Sequence, residues 1–302
     1  MITENIAVAL ATHLPTARLR SATRLKGGVS ADVFRLDLSM ADGVERSIVL
    51  RAMGKSGLES VQEYALLSAL HAAGLPIPRP ICVDDNRSHI DAPYLLMDFI
   101  DGASEIPPDL AGVRLEMMAD ALASIHQLPT ASLPPLPLRL DPWPELPGFL
   151  PQGAEWEALR DHVAKPGPGP FAGAPVLLHG DFWPQNLIWR DDRIAAILDW
   201  EDAALGDPLS DLACALLELK YLFDDALVDR FYLAYRRHAR VDPHRLAQWQ
   251  LYVASAAQHY MGAWGLEPLR EALMRQTALR QIREAALGLG IVGLSRPGSS
   301  AL

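Results

Sequence analysis

Cysteine is scarce: Cys82 and Cys214 are the only two in 302 residues. Far apart and without a second pair, they exclude a disulfide framework and a thiolate zinc site. They read as small buried apolar residues and suit a reducing, cytoplasmic compartment. Long apolar runs are missing as well. The longest, Ala285 to Leu294, is too short to cross a bilayer, so no membrane partner is expected. The first fourteen residues contain Glu4 and His13 and lack a basic start before Ile6 to Ala11, so no secretory signal is expected. An excess of positive charge is absent too. With 27 basic against 37 acidic residues the net charge is −10, which repels a phosphate backbone and argues against nucleic acid as a partner. A phosphate bound in a local pocket stays open. No internal repeat is visible.

What is present is ample apolar material: 50% of residues are hydrophobic and 21% charged, which excludes a disordered chain. The length allows two lobes. From Leu19 to Ala52 the period is two, predicting a strand to Leu25, a Gly27-Gly28 turn, a strand over Val33 to Leu38, a turn at Asp42-Gly43 and a strand over Ser47 to Ala52. Leu58, Val61, Ala65, Leu66, Ala69 and Leu70 then recur at helical spacing until Gly74. Short strands follow at Ile81 to Val83 and Tyr94 to Phe99. After Asp101-Gly102 the character becomes helical, beginning with Leu110 to His126. Eight prolines between Leu128 and Gln152 predict an extended surface loop, with a proline-rich linker between domains as the rival reading. A short helix near Trp156 to Val163 comes next, then a buried strand at Val176 to Leu178. A hairpin turns at Asp191-Asp192, and four helices lie near 208–222, 225–240, 243–263 and 267–287.

The chemistry concentrates in residues 179–213: His179-Gly180-Asp181, Asn186, Asp199-Trp200-Glu201, Gly206-Asp207-Pro208 and Asp211. Asp181 follows a buried strand and emerges in a loop; Asn186 lies where the loop returns; Asp199 ends the second hairpin strand. Two acids and an amide at one rim are hard oxygen ligands for Mg²⁺ with a carboxylate left over as base. Those are the parts that phosphoryl transfer needs. Asp191, Asp192 and Asp207 read as turn and helix-cap residues.

These motifs, His179-Gly180-Asp181-x4-Asn186, Ile197-Leu198-Asp199-Trp200-Glu201 and Gly206-Asp207-Pro208-x2-Asp211-Leu212-Ala213, resemble the aminoglycoside phosphotransferase and choline kinase-like family of small-molecule kinases. Supporting features extend the resemblance over roughly residues 20 to 285. It implies an α+β, two-lobed protein-kinase-like fold, with a small antiparallel-sheet lobe over 1–100 and a helical lobe over 101–290; the Gly, Ser and Pro-rich end over 291–302 reads from its composition as a flexible tail. The resemblance implies transfer of the γ-phosphoryl group of ATP or GTP to a small-molecule hydroxyl, the nucleotide in the cleft and the acceptor held by the helical lobe. Asp181 is then the base, and Asn186 and Asp199 hold Mg²⁺. His179 and Asp211 brace the loop.

The resemblance also places Gly28 and Ser30 over the phosphates and the backbone of Asp98 to Ile100 against the adenine edge. Arg51 stands where kinases carry a strand lysine, with Glu63 as its helix partner. Trp183, Trp200 and Glu201 read either as a substrate wall or as core and structural support. Only Glu201 to Gly206 separates Asp199-Trp200 from Asp207-Pro208, which leaves no room for a protein kinase's activation segment. From Asp207 to Gly290 ten acidic and ten basic side chains balance, so a polycationic acceptor is not implied. A nucleotide-binding module with little or no catalysis is the alternative.

Overall fold

Apolar side chains on every second residue build the first sheet of this computed structural model, which describes residues 2–25, 31–52 and 57–292. Helix α1 (Ile2–His13) precedes β1 (Ala17–Arg24), β2 (Asp32–Met40) and β3 (Glu45–Ala52). Phe34, Leu36 and Leu38 on β2 and Ile48 and Leu50 on β3 all point into one core, which Ile6, Ala9 and Leu10 of α1 also enter. At the turn between β2 and β3, Gly43 has a φ of +82°, a backbone state that only glycine adopts without cost. Helix α2 (Ser60–Ala72) buries Glu63, Leu66, Leu67 and Leu70 on one face. Strands β4 (Pro80–Asp84) and β5 (Tyr94–Asp98) follow. The five strands lie in the order β1-β2-β3-β5-β4 with every pair antiparallel.

Further along come α3 (Ala111–His126), β6 (Leu138–Arg139), α4 (Glu157–Val163), β7 (Val176–Leu178), β8 (Leu187–Arg190), β9 (Arg193–Ile197) and β10 (Ala204–Gly206). Four helices close the chain: α5 (Pro208–Leu222), α6 (Asp225–Tyr235), α7 (Pro243–Tyr260) and α8 (Pro268–Gly288). Their starts are written in the sequence. Asp207, Asp242 and Glu267 cap α5, α7 and α8 through their side chains, and proline stands just inside each helix, where no amide hydrogen is needed. Asp224 caps α6 in the same way.

The chain divides into two compact units. One contains residues up to Glu105, Ala131–Leu136 and Gln185–Asp202; it holds the five-stranded sheet, α2 and the β8–β9 hairpin. The other contains Ile106–Thr130, Pro137–Pro184 and the residues from Ala203 on; it holds α3 to α8 and a small sheet ordered β6-β10-β7. Two expectations need correction. The proline-rich stretch is no mere surface loop: Trp143, Leu146 and Leu150 are buried in the helical core, and Leu138–Arg139 pairs in parallel with β10. Both cysteines are only half-buried. Gly28 and Ser30, with the Gly27-Gly28 turn, lie outside the described residues, as does the tail from residue 293.

Candidate active site

In the helical unit, the turn after β7 is held by one buried carboxylate. Asp211, on the first turn of α5, accepts the amide hydrogen of His179 at 2.6 Å and that of Gly180 at 2.9 Å. The ring Nδ1 of His179 in turn accepts the Asp181 amide at 3.2 Å. Gly180 has a φ of +90°, the left-handed state this tight turn requires. Burial alone would raise the Asp211 carboxyl; the hydrogen bond and charge of His126 and the field and amide of His179 outweigh it and hold it below the usual range. His126 Nε2 lies 3.3 Å from Asp211 and its Nδ1 lies 2.8 Å from the Tyr235 hydroxyl. Asp207 also does more than cap α5, since its Oδ2 accepts from Arg245 Nε and Trp249 Nε1, each at 2.7 Å.

In the sheet unit, Asn186 ends a short 3-10 turn and its carbonyl accepts the Leu198 amide at 2.8 Å, which closes the β8–β9 hairpin. Asp191 and Asp192 both have positive φ, as the tight turn between β8 and β9 demands. Asp199 has a φ of +62°, rare for a side chain that is not glycine and a sign of imposed backbone geometry.

Arg51 is no surface charge. It is 8% exposed, and its Nη1 donates to Glu63 Oε1 at 2.6 Å, while Nη2 donates to Asp199 Oδ1 at 3.0 Å and to the Glu201 carboxylate. Burial pushes the Glu63 carboxyl up to about 6 even though Arg51 draws it down. Glu63 Oε2 is buried with no hydrogen-bond partner. One guanidinium thus faces three carboxylates, an excess of negative charge suited to a cation.

The remaining expectations divide. The Asp98 amide is already donated to the Arg79 carbonyl at 3.0 Å and that of Phe99 to the Ser47 carbonyl at 3.4 Å, so neither amide is offered to a base edge. The Asp98 carboxylate pairs with Arg46 and Arg79. Of the two readings of Trp200, core holds: it is 1% exposed and its indole N–H donates to the Ile197 carbonyl at 3.2 Å. Trp183 is half-buried. Sequence reasoning missed Glu218 and Tyr221 on α5. Burial, reinforced by the charge of Asp181, pushes the Glu218 carboxyl up to about 8, and the Tyr221 hydroxyl is buried without a partner. Their spacing with Cys214, four and seven residues apart on one helix, was a legible signal.

The antiparallel sheet with its helix and the separate helical body define the α+β fold of the protein-kinase-like phosphotransferases. The chain belongs to the phosphotransferase enzyme family, whose sequence model matches residues 21–249. It is 26% identical over 225 residues to the aminoglycoside 3'-phosphotransferase of Streptomyces fradiae, covering 68% of this chain and 82% of that protein. It is 26% identical over 179 residues to acyl-CoA dehydrogenase family member 10 of Mus musculus, covering 52% of this chain but 16% of that one. The chain therefore spans only a minor part of the length of the acyl-CoA dehydrogenase relatives it matches. Among solved structures, the aminoglycoside phosphotransferase APH(4)-Ia, in a ternary complex with AMP-PNP and hygromycin B, matches with a TM-score of 0.65 at 16% identity, covering 93% of this chain and 99% of that one. A choline/ethanolamine kinase family protein from Mesorhizobium loti matches with a TM-score of 0.61 at 18% identity, covering 97% of each chain.

Proposed function

We propose that this phosphotransferase moves the γ-phosphoryl group of ATP, or of GTP, to a hydroxyl of a small molecule, with Asp181 as the base. The observation that carries this reading is the double amide clamp of Asp211 on His179 and Gly180, which presets the turn bearing Asp181. The acceptor oxygen attacks the γ-phosphorus, the bond to the bridging oxygen breaks, ADP (or GDP, from GTP) leaves, and the hydroxyl proton passes to the Asp181 carboxylate.

Asn186 and Asp199 would hold Mg²⁺. Their hard oxygens, the one-third exposure of the Asp199 side chain and the surplus of carboxylate beside it fit such a cation. When bound, the metal neutralises charge on the phosphates. Nucleotide handling falls to the unit with the five-stranded sheet, with the backbone of Asp98 to Ile100 toward the adenine edge, through carbonyl oxygens at Asp98 and Phe99 since their amides are engaged; acceptor handling falls to the helical unit. The balanced charge of α5 to α8 favours an acceptor that is not polycationic. Among the described residues no helix is long and apolar enough to cross a membrane.

The test is ADP release on a panel of aminoglycosides, choline-like amino alcohols, sugars, homoserine and macrolides, repeated with Asp181→Asn. Turnover that collapses in the variant, with AMP-PNP affinity kept within a few-fold, supports the reading. Turnover unchanged in Asp181→Asn overturns it. ATP binding without transfer to any hydroxyl would instead favour the non-catalytic module.

A further inference from the structure

A lysine ammonium is a point charge on a flexible stem, whereas a guanidinium is a rigid planar fork that serves acceptors on two sides at once. Arg51 uses both arms. One engages Glu63 at 2.6 Å; the other engages Asp199 at 3.0 Å together with Glu201. Glu201 is itself anchored by the main chain facing it. Its carbonyl accepts the Leu58 amide at 2.8 Å, and Gly57 approaches so closely that a Cβ there would stand 2.8 Å from the Glu201 Cβ. Gly57 has a φ of +88°, so the approach also depends on the backbone freedom of glycine. Asp199, two residues earlier, sits at its own left-handed φ.

We propose that Glu201 is a positioning residue for the metal-binding carboxylate: it and Glu63 hold the two arms of Arg51 so that Nη2 pins Asp199 Oδ1. The strand arginine then works with Glu201 as a set, and its first task is to orient a carboxylate rather than to grip phosphate. A single lysine has one nitrogen and could not bridge Glu63, Asp199 and Glu201 with the same planar geometry. The proposal rests on the reading of Asp199 as the ligand of a magnesium–nucleotide complex.

Calorimetric titration of AMP-PNP at a series of Mg²⁺ concentrations tests it. Glu201→Gln is expected to raise the half-saturating Mg²⁺ concentration about ten-fold, and the shift should persist at 0.5 M salt. Arg51→Lys should give a shift of similar size, and Arg51→Lys/Glu201→Gln should be no worse than either single, since all three break one contact. Wild-type Mg²⁺ dependence in Glu201→Gln, or shifts that multiply in the double variant, would overturn the proposal. If the wild-type protein takes up no AMP-PNP at any Mg²⁺ concentration, the kinase reading itself fails. The clamp is then judged by thermal unfolding of the same three variants, where non-additive midpoints support it and additive ones refute it.

Discussion

His179 gives its amide hydrogen to Asp211 Oδ2 across 2.6 Å, and the partners are 32 residues apart in the chain. The same carboxylate takes the amide of Gly180, so a side chain on α5 shapes the turn that presents Asp181.

Asp211→Ala leaves both amides unsatisfied in a buried site. Each such donor costs about 1–3 kcal/mol, so urea unfolding should show a loss of roughly 2–5 kcal/mol. Asp211→Asn keeps one oxygen acceptor and should lose about half as much. Equal stability in all three proteins would mean that the amides find other acceptors.

Breaking the buried pair of Arg51 and Glu63 should be costly. Arg51→Ala leaves Glu63 buried without its cation, and a loss of about 3–5 kcal/mol is expected for a buried pair broken on one side. Glu63→Ala should cost less, since Arg51 retains Asp199 and Glu201. In a double-mutant cycle the Arg51→Ala/Glu63→Ala variant should lose less than the sum of the two single losses, measured by denaturant midpoints at constant slope.

Glu218 gives stability a pH dependence of definite sign. Its carboxyl stands near 8 in the folded protein against 4.5 for an ordinary glutamate. Between those values the folded state keeps a proton that the unfolded chain releases, so this contribution is full below about 4.5 and is lost as pH rises through 8. Glu218→Gln removes the dependence. Relative to the parent, its melting midpoint should gain roughly 8–15 °C between pH 5 and pH 8.5, because a shift of this size is worth about 4 kcal/mol over that range. A constant offset across the range would show that Glu218 does not titrate there.

Gly57→Ala combines a left-handed backbone with a methyl group pushed against Glu201. A cost of about 1–2 kcal/mol is expected from the backbone alone. The displaced Glu201 should also raise the Mg²⁺ requirement for AMP-PNP binding, whereas Gly43→Ala, which meets no atom within 4 Å, should show only the backbone cost.

The elements that rest on local pattern were legible in the sequence. β2 and β3 follow from alternation, and α5, α7 and α8 from an acid followed by proline at their starts. Asp211 was legible as a brace through the family resemblance alone, since 32 residues separate it from the turn it holds. What escaped were pairings between distant segments. Nothing local marks Leu138–Arg139 as a strand, because it exists only through β10. Likewise a division of the chain near residue 100 follows from composition, whereas the clustering of 131–136 and 185–202 with the sheet arises from long-range contacts. Glu201 was placed within the motif but not on Arg51, since the chain between them spans 150 positions and gives no sign of their contact.

That span has a consequence for how the protein is made. Arg51 and Glu63 leave the ribosome well before Asp199 and Glu201, which follow Arg51 by 148 and 150 residues. At about 5–20 residues per second the wait is roughly 7–30 s. During it the nascent sheet carries one arginine against one glutamate, and only the arrival of the β8–β9 hairpin brings the further acids. Synthesis therefore orders the assembly: the half of the cluster nearest charge balance forms first, and the strongly acidic half is added to a cation already in place.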